Sequence, residues 1–297
     1  MTLVQVRGRR LGLTNLNKVY WPDGRTKGDL IAYYTAVGEY AIRYLEGRPV
    51  VMSRYPDGIT GKHFYQKERP ESTPEWIETV PVAHDEGMRI VNYVVYRGLE
   101  TLVWLANLGC IEMHSWISKV GTLAHPDIAV IDLDPAEGAT FEQVVEVARL
   151  ARTALREFGL NGFPKTSGAT GLHVFIPVEP RHTFSEVTRA MKIIAEFIVR
   201  ICPFATIERI VSKRTGKVYV DYLQNTFGKA MAFPYSVRPR PGAPVSAPLR
   251  WEELERPAWR PDDFNMDSMP ERLRTAGDLY EGFFDARSSL EGILALG

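Results

Sequence analysis

The sequence predicts an α/β (α+β) fold, a mixed central sheet flanked by helices, on three observations. Three long segments carry helical periodicity, short continuous apolar runs lie between them, and the composition is that of an ordinary globular chain. Of 297 residues, 45% are apolar and 24% charged. That is enough to bury a core and too apolar for a disordered chain. No stretch approaches the roughly 18 consecutive apolar residues of a membrane span, and no period of 20 to 50 residues points to a solenoid or propeller.

The first helix is expected over 26–45, opened by a Thr26 cap, with Leu30, Tyr33, Tyr34, Val37, Ala41, Tyr44 and Leu45 at helical spacing. Thr140 with Gln143 three residues on makes a capping box for the second. Phe141, Val144, Val145, Ala148, Leu155 and Phe158 follow along one face, and Gly159 is the stop. A third box, Thr183 with Glu186, opens the run holding Val187, Met191, Ile194, Phe197, Ile198 and Ile201, which Pro203 closes. Strands are expected at Ile128–Ile131, Leu172–Ile176 and Val218–Val220, the first continuous enough to be covered on both faces. Seven prolines between Pro234 and Pro261 (234, 239, 241, 244, 248, 257 and 261) predict an extended surface arm. The acid-rich stretch from Trp251 reads as a partly helical appendage. The whole, 1–297, is expected to be one domain, with a catalytic core over 121–245 and the arm and appendage over 246–297.

Lys plus Arg and Asp plus Glu both number 36, which excludes a uniformly cationic nucleic-acid coat and makes any anion site local. Residues 1–27 hold six basic side chains against Asp23 alone, and residues 206–240 hold seven against Glu208 and Asp221. Either patch could neutralise phosphates or simply be a solvated face. Two cysteines, Cys110 and Cys202, are too few for a disulfide framework and lack zinc spacing, and the N-terminus has no signal-peptide pattern. A cytoplasmic protein is expected.

Asp132-Leu133-Asp134-Pro135 follows the first predicted strand. Alternation along a strand puts both carboxylates on one face. At about 4 Å they would repel by roughly 4 kcal/mol at an effective dielectric near 20, so a shared proton or a divalent cation is needed. Hard oxygen ligands favour Mg²⁺ or Mn²⁺. The alternative is an acidic turn that caps backbone groups. Thr166-Ser167-Gly168-Ala169-Thr170-Gly171-Leu172-His173 could cradle a triphosphate through loop amides, the Ser167 hydroxyl and His173, or be a glycine hairpin with a core histidine. Asp221, seven residues after Arg214, is a possible third acid; together the three acids, two basic patches and glycine loop describe a two-metal phosphoryl-transfer site.

These residues resemble the polymerase domain of bacterial ligase D, within the archaeo-eukaryotic primase superfamily, over nearly the whole chain. The motifs are Leu13-Thr14-Asn15-Leu16-Asn17-Lys18-Val19-Tyr20-Trp21-Pro22, Arg54-Tyr55-Pro56-Asp57-Gly58, Ile131 to Pro135, Ser167-Gly168 through His173, Val220 to Asn225, and Pro234-Tyr235-Ser236-Val237-Arg238. The resemblance implies a primase-like catalytic core and two ions, commonly Mn²⁺, held by Asp132, Asp134 and Asp221. They would serve attack of a primer 3′-hydroxyl on the α-phosphate of a nucleoside triphosphate. It also implies that Ser167, His173, Lys229 and Arg238 receive the triphosphate, with Arg214 and His114 lining the nucleotide site. Asn15, Lys18 and Lys27 would hold a 5′-phosphate on the downstream strand, and Phe64 and Tyr65 would stack on template bases. Residues 1–120 would then supply DNA-end and template contacts. Without the resemblance, His114 reads as a core histidine, and Phe64 and Tyr65 as core packing.

Two positions depart from the family pattern: Thr170 stands where a lysine is frequent, and Ser53 where a basic residue is frequent. Both bear on triphosphate binding and on the ribonucleotide preference the resemblance implies. Ku and a separate DNA ligase are the implied partners, since 297 residues leave no room for ligase or nuclease modules. Two rival functions remain at this point, a metal-dependent nuclease or phosphohydrolase and a non-catalytic DNA-end module.

Overall fold

The computed structural model describes residues 1–84, 87–255 and 259–296; Pro257 of the predicted arm lies outside them. In chain order the elements are β1 (Thr2–Val6), β2 (Arg9–Leu13), α1 (Lys27–Leu45), β3 (Val50–Arg54), β4 (Phe64–Gln66), β5 (Thr79–His84), β6 (Arg89–Val94), α2 (Gly98–Asn107) and β7 (Cys110–Ser115). Then follow β8 (Ile128–Pro135), α3 (Phe141–Glu157), β9 (Phe163–Thr166), β10 (Leu172–Pro177), α4 (Phe184–Ile201), β11 (Ala205–Thr206), β12 (Val218–Asp221) and β13 (Met231–Ala232). Three short helices, α5 (Trp251–Glu255), α6 (Ser268–Ala276) and α7 (Glu291–Leu294), complete the chain. No described helix is long and apolar enough to cross a membrane.

The chain forms two compact units. The first comprises Met1–Val120, Ala230–Ser246 and Asp262–Gly277; the second comprises Gly121–Lys229, Ala247–Pro261 and Asp278–Gly297. In the first, α1 and α2 pack together, and a four-stranded sheet runs in the order β13-β7-β3-β4 beside the hairpins β1-β2 and β5-β6. The second is built on a five-stranded sheet ordered β11-β12-β8-β10-β9, with β8 antiparallel to both neighbours and only β11 parallel to β12. Helices α3 and α4 pack on each other and on β8.

The three predicted long helices form with the predicted caps. Thr26, Thr140 and Thr183 each accept from the third residue of their helix, and Asp29, Gln143 and Glu186 return the bond to the cap amide. Each reciprocal pair satisfies two otherwise orphaned donors. On α4 the apolar run overshoots the core, for Phe197 and Ile201 are exposed.

Up to residue 250 the proline-rich segment lacks helix and strand, as expected, whereas α5 forms further along it, and it is not a surface arm. Residues 231–237 and 243–249 are buried. Inside the first unit the Tyr235 amide donates to Ser246 O, Ser246 N to Ser236 O, Arg238 N to Pro244 O and Val245 N to Phe264 O. The segment doubles back on itself, so its backbone groups find partners without a ladder.

Candidate active site

The second unit's sheet gathers the predicted acids through register. Asp221 on β12 stands directly opposite Asp132 on β8, and Asp132 stands directly opposite His173 on β10. His173 in turn opposes Lys165 on β9. Directly opposed residues share a face, so Asp221, Asp132, His173 and Lys165 make one row across four strands. Asp134, two residues along β8, lies on the same face and is exposed, whereas Asp132 is only 5% exposed.

Each acid is oriented by its surroundings. Asp132 Oδ1 lies 3.3 Å from His173 Nε2, and its Oδ2 accepts from Gln224 Nε2 at 3.4 Å. Asp221 Oδ1 accepts from the Leu223 amide at 2.8 Å and from the Tyr219 hydroxyl at 3.3 Å. Burial, then the nearby Asp221 charge, pushes the Tyr219 hydroxyl up to about 12, so it stays a donor at neutral pH. Asn225 takes the place of a strand beside β8 where β12 has ended. Its Oδ1 accepts from Val130 N at 2.8 Å and its Nδ2 donates to Val130 O at 2.7 Å. That latch fixes the turn carrying Gln224 against the acid strand.

Gly171 is required by close approach. A Cβ there would sit 2.2 Å from Leu133 O and 3.3 Å from Asp134 Oδ1, so any side chain would push β10 off the acid strand. Within the glycine loop, Ser167 Oγ accepts from the amides of Ala169 and Gly171, both at 3.1 Å. Those two amides are therefore turned inward rather than toward an anion. What Ser167 keeps for a ligand is its own hydroxyl proton.

Arg214 and Lys229 belong to this unit too. The Arg214 guanidinium lies 3.4 Å from the Tyr219 ring centroid and donates through Nη2 to Arg209 O at 2.7 Å. A cavity of about 250 Å³ opens there, lined by Asp134, Glu137, Ser212, Arg214 and Tyr219 among others. Lys229 is exposed.

His114 and Arg238 lie in the first unit, around a residue the sequence reading missed. Glu112, 3% exposed on β7, sits 3.1 Å from Arg238 Nε and 3.5 Å from His114 Nε2, and accepts from Ser53 Oγ at 2.7 Å. Burial alone would raise its pKa, but His114 first, then Arg238 and Ser53, overcome this and bring it to about 2. Ser53, one of the two departures, is thus spent on Glu112. Alternation in Ile111-Glu112-Met113-His114 was the signal that could have found Glu112, because it shares a strand face with His114.

Asn15, Lys18 and Lys27 come together at the start of α1. Lys18 N donates to Asn15 O, and Lys27 N to Lys18 O. Lys18 Nζ pairs with Asp57 at 2.6 Å. The buried Lys27 ammonium donates to Thr14 O at 2.7 Å, and burial, then the Lys18 charge, lowers it to about 8. An open cavity of about 640 Å³ is lined by Asn15, Asn17 and Lys18. Phe64 and Tyr65 are exposed, by 39% and 61%, which replaces the core-packing reading. As neighbours on β4 they point to opposite faces: Phe64 under the Arg54 guanidinium, Tyr65 toward His63 and His114.

The acid set fits a hard divalent cation by its chemistry. Opposed residues on paired strands have Cα atoms about 4.5–5.5 Å apart, so the backbone already brings Asp132 and Asp221 together. As placed, no three His, Cys, Asp or Glu side chains among the described residues form a finished ion cage.

The chain is similar to known proteins along most of its length. The family described as LigD, primase-polymerase domain, matches residues 26–280. The chain is 35% identical over 283 residues to the multifunctional non-homologous end joining DNA repair protein LigD of Mycobacterium tuberculosis, covering 92% of this chain and 37% of that protein. It is 31% identical over 278 residues to the bifunctional non-homologous end joining protein LigD of Bacillus subtilis, covering 93% and 44%. The chain thus spans under half the length of these curated relatives. Among solved structures, the polymerase domain of M. tuberculosis ligase D in complex with DNA superposes with a TM-score of 0.87 at 32% identity, covering 94% of this chain and 99% of that one.

Proposed function

Because the chain belongs to the LigD primase-polymerase domain family, and so is a nucleotidyltransferase, we propose that it extends a primer 3′-hydroxyl on a template at gaps or broken DNA ends. The observation that carries this reading is the direct opposition of Asp221, Asp132 and His173 on three neighbouring strands. Two carboxylates face to face destabilise each other, and divalent cations, Mn²⁺ or Mg²⁺, are the natural occupants. Asp132, Asp134 and Asp221 would hold two such ions. When bound, these would lower the pKa of the attacking hydroxyl and stabilise charge on the leaving pyrophosphate.

The other roles belong to the chain itself. In the second unit, His173 and the Ser167 hydroxyl donate to the triphosphate, and Lys229 and Arg214 neutralise it. In the first unit, the Glu112 carboxylate orients Arg238 and His114 as nucleotide contacts. Lys18 and Lys27 with Asn15 bind a downstream 5′-phosphate, and Phe64 and Tyr65 stack on template bases, each from its own face of β4. Ribonucleotides are the favoured substrate, and the chain acts in the cytoplasm beside Ku and a separate ligase; the setting is non-homologous end joining, the process in the names of its relatives.

Primer extension on a short gapped duplex tests the proposal, with ribo- and deoxynucleotides compared in Mg²⁺ and Mn²⁺. A lengthened primer is expected, with more product from ribonucleotides. A shortened primer would instead assign the same acids to a nuclease, and normal extension by Asp132→Ala would remove them from the chemistry.

A further inference from the structure

The fourth member of the row, Lys165, is fully buried and has no part in the reading above. Its ammonium stands 2.7 Å from His173 Nδ1 and 4.9 Å from the centroid of the Phe175 ring. The segment after Ser246 closes over it: Lys165 bridges to Pro248, Thr166 N donates to Ala247 O, Ala247 N donates to Thr166 Oγ1, and Leu249 N donates to Pro164 O. Burying a lysine is costly unless its charge meets strong acceptors, so the position demands a reason.

An ammonium has three donors and no acceptor. Facing it at 2.7 Å, Nδ1 must present its lone pair, and a neutral imidazole then carries its proton on Nε2. Nε2 is the nitrogen turned to Asp132 Oδ1, 3.3 Å away. With the proton on Nδ1 instead, two donors would collide at Lys165 and a lone pair would face the carboxylate. From this geometry we infer that Lys165 is a positioning residue. By donating to Nδ1 it holds His173 as the Nε2–H tautomer, so that the ring meets the acid face, and any phosphate bound there, as a donor.

The inference deepens the proposed polymerase reading in assigning a triphosphate to that donor, while the tautomer itself is independent of any ligand. The first measurement is therefore made on the wild-type protein without nucleotide or metal. Histidine ring ¹⁵N spectra, with the His173 signals identified by their loss in His173→Asn, should show a protonated Nε2 and an unprotonated Nδ1. A protonated Nδ1, alone or together with Nε2, overturns the inference. This readout needs no change at Lys165 and stands even if Lys165→Met does not fold.

The second measurement uses Lys165→Met, which keeps the stem over Phe175 and removes the donor. Calorimetric titration with a non-hydrolysable nucleoside triphosphate in Mn²⁺ should show roughly three- to tenfold weaker binding, the scale of one hydrogen bond. In the His173→Asn background the same change should add nothing, because Lys165 acts through that ring. Equal effects of Lys165→Met in the two backgrounds overturn the inference. If the wild-type protein binds no nucleotide while its Nε2 is protonated, the polymerase reading fails and the role of Lys165 in setting the ring stands.

Discussion

Each unit buries a carboxylate in a sheet, and the two are treated in opposite ways. Glu112 in the first unit is ringed by donors of its own chain, Ser53, His114 and Arg238, and its pKa falls to about 2. Asp132 in the second unit has a histidine on one side, but the residue opposite it on the other is a second acid, Asp221. The first arrangement balances its charge internally and so can serve as a fixed anchor for neighbouring side chains. The second concentrates like charge on one face, which is what a site for cations requires.

The most severe way to break that contrast is at the acids themselves. Asp132→Asn should lower nucleotide addition by roughly 10²–10³-fold, the scale on which transition-state charge stabilisation is lost, with the thermal midpoint held or raised as one repelling charge goes. A single-turnover extension assay and a melt check both halves; a large drop in the midpoint would mean Asp132 is a structural anchor like Glu112.

Glu112→Gln should act on stability, costing about 2–3 kcal/mol in denaturant unfolding as Arg238 loses its counter-charge and Ser53 its charged acceptor. The pH dependence sharpens the point. The folded pKa of about 2 lies below the usual 4.5, so between those values the unfolded chain binds more protons. The stabilisation is therefore present above about pH 4.5 and lost as pH falls toward 2, and the Glu112→Gln protein should lack that component of acid unfolding.

Lys27 supplies a milder test, as a buried cation placed next to another cation. Its pKa of about 8 predicts that affinity for 5′-phosphorylated gapped DNA declines as pH rises through 8, and that binding takes up a proton there. Stability should move the other way, rising between pH 8 and the ordinary lysine value as the folded state gives up its proton first. Lys27→Arg should flatten the affinity profile in a fluorescence-anisotropy titration, since a guanidinium stays charged; an unchanged profile would assign the pH dependence elsewhere.

The smallest effects belong to the exposed aromatics. Tyr65→Ala should weaken template binding by about 1–3 kcal/mol and leave the melting midpoint nearly unmoved, because 61% of Tyr65 is exposed. A fall of several degrees in the midpoint would return it to the packing role.

Local signals in the chain are fully legible in the sequence. The caps at Thr26, Thr140 and Thr183 depend only on residues three apart, and the strands at Ile128, Leu172 and Val218 on short apolar runs. The first unit's sheet was harder to see. Its strands β3 and β4, β7, and β13 come from three separated stretches of the chain, and β7 mixes Glu112 and His114 into a buried strand. The proline-rich segment misled for a related reason. Prolines forbid a ladder, and burial then depended on partners such as Phe264 that no local pattern marks.

Sequence by itself determined where each helix begins, the i, i+2 spacing of Asp132 and Asp134, and a set of motifs dense enough to name a family. Side-chain period and capping are properties of a few consecutive residues, so they survive without a structure. Only tertiary structure decided that Lys165, His173, Asp132 and Asp221 form one row, that Ser53 serves Glu112, and that Phe64 and Tyr65 are exposed. Pairing register joins residues tens of positions apart, and a shift of one residue would turn every one of those side chains to the other face.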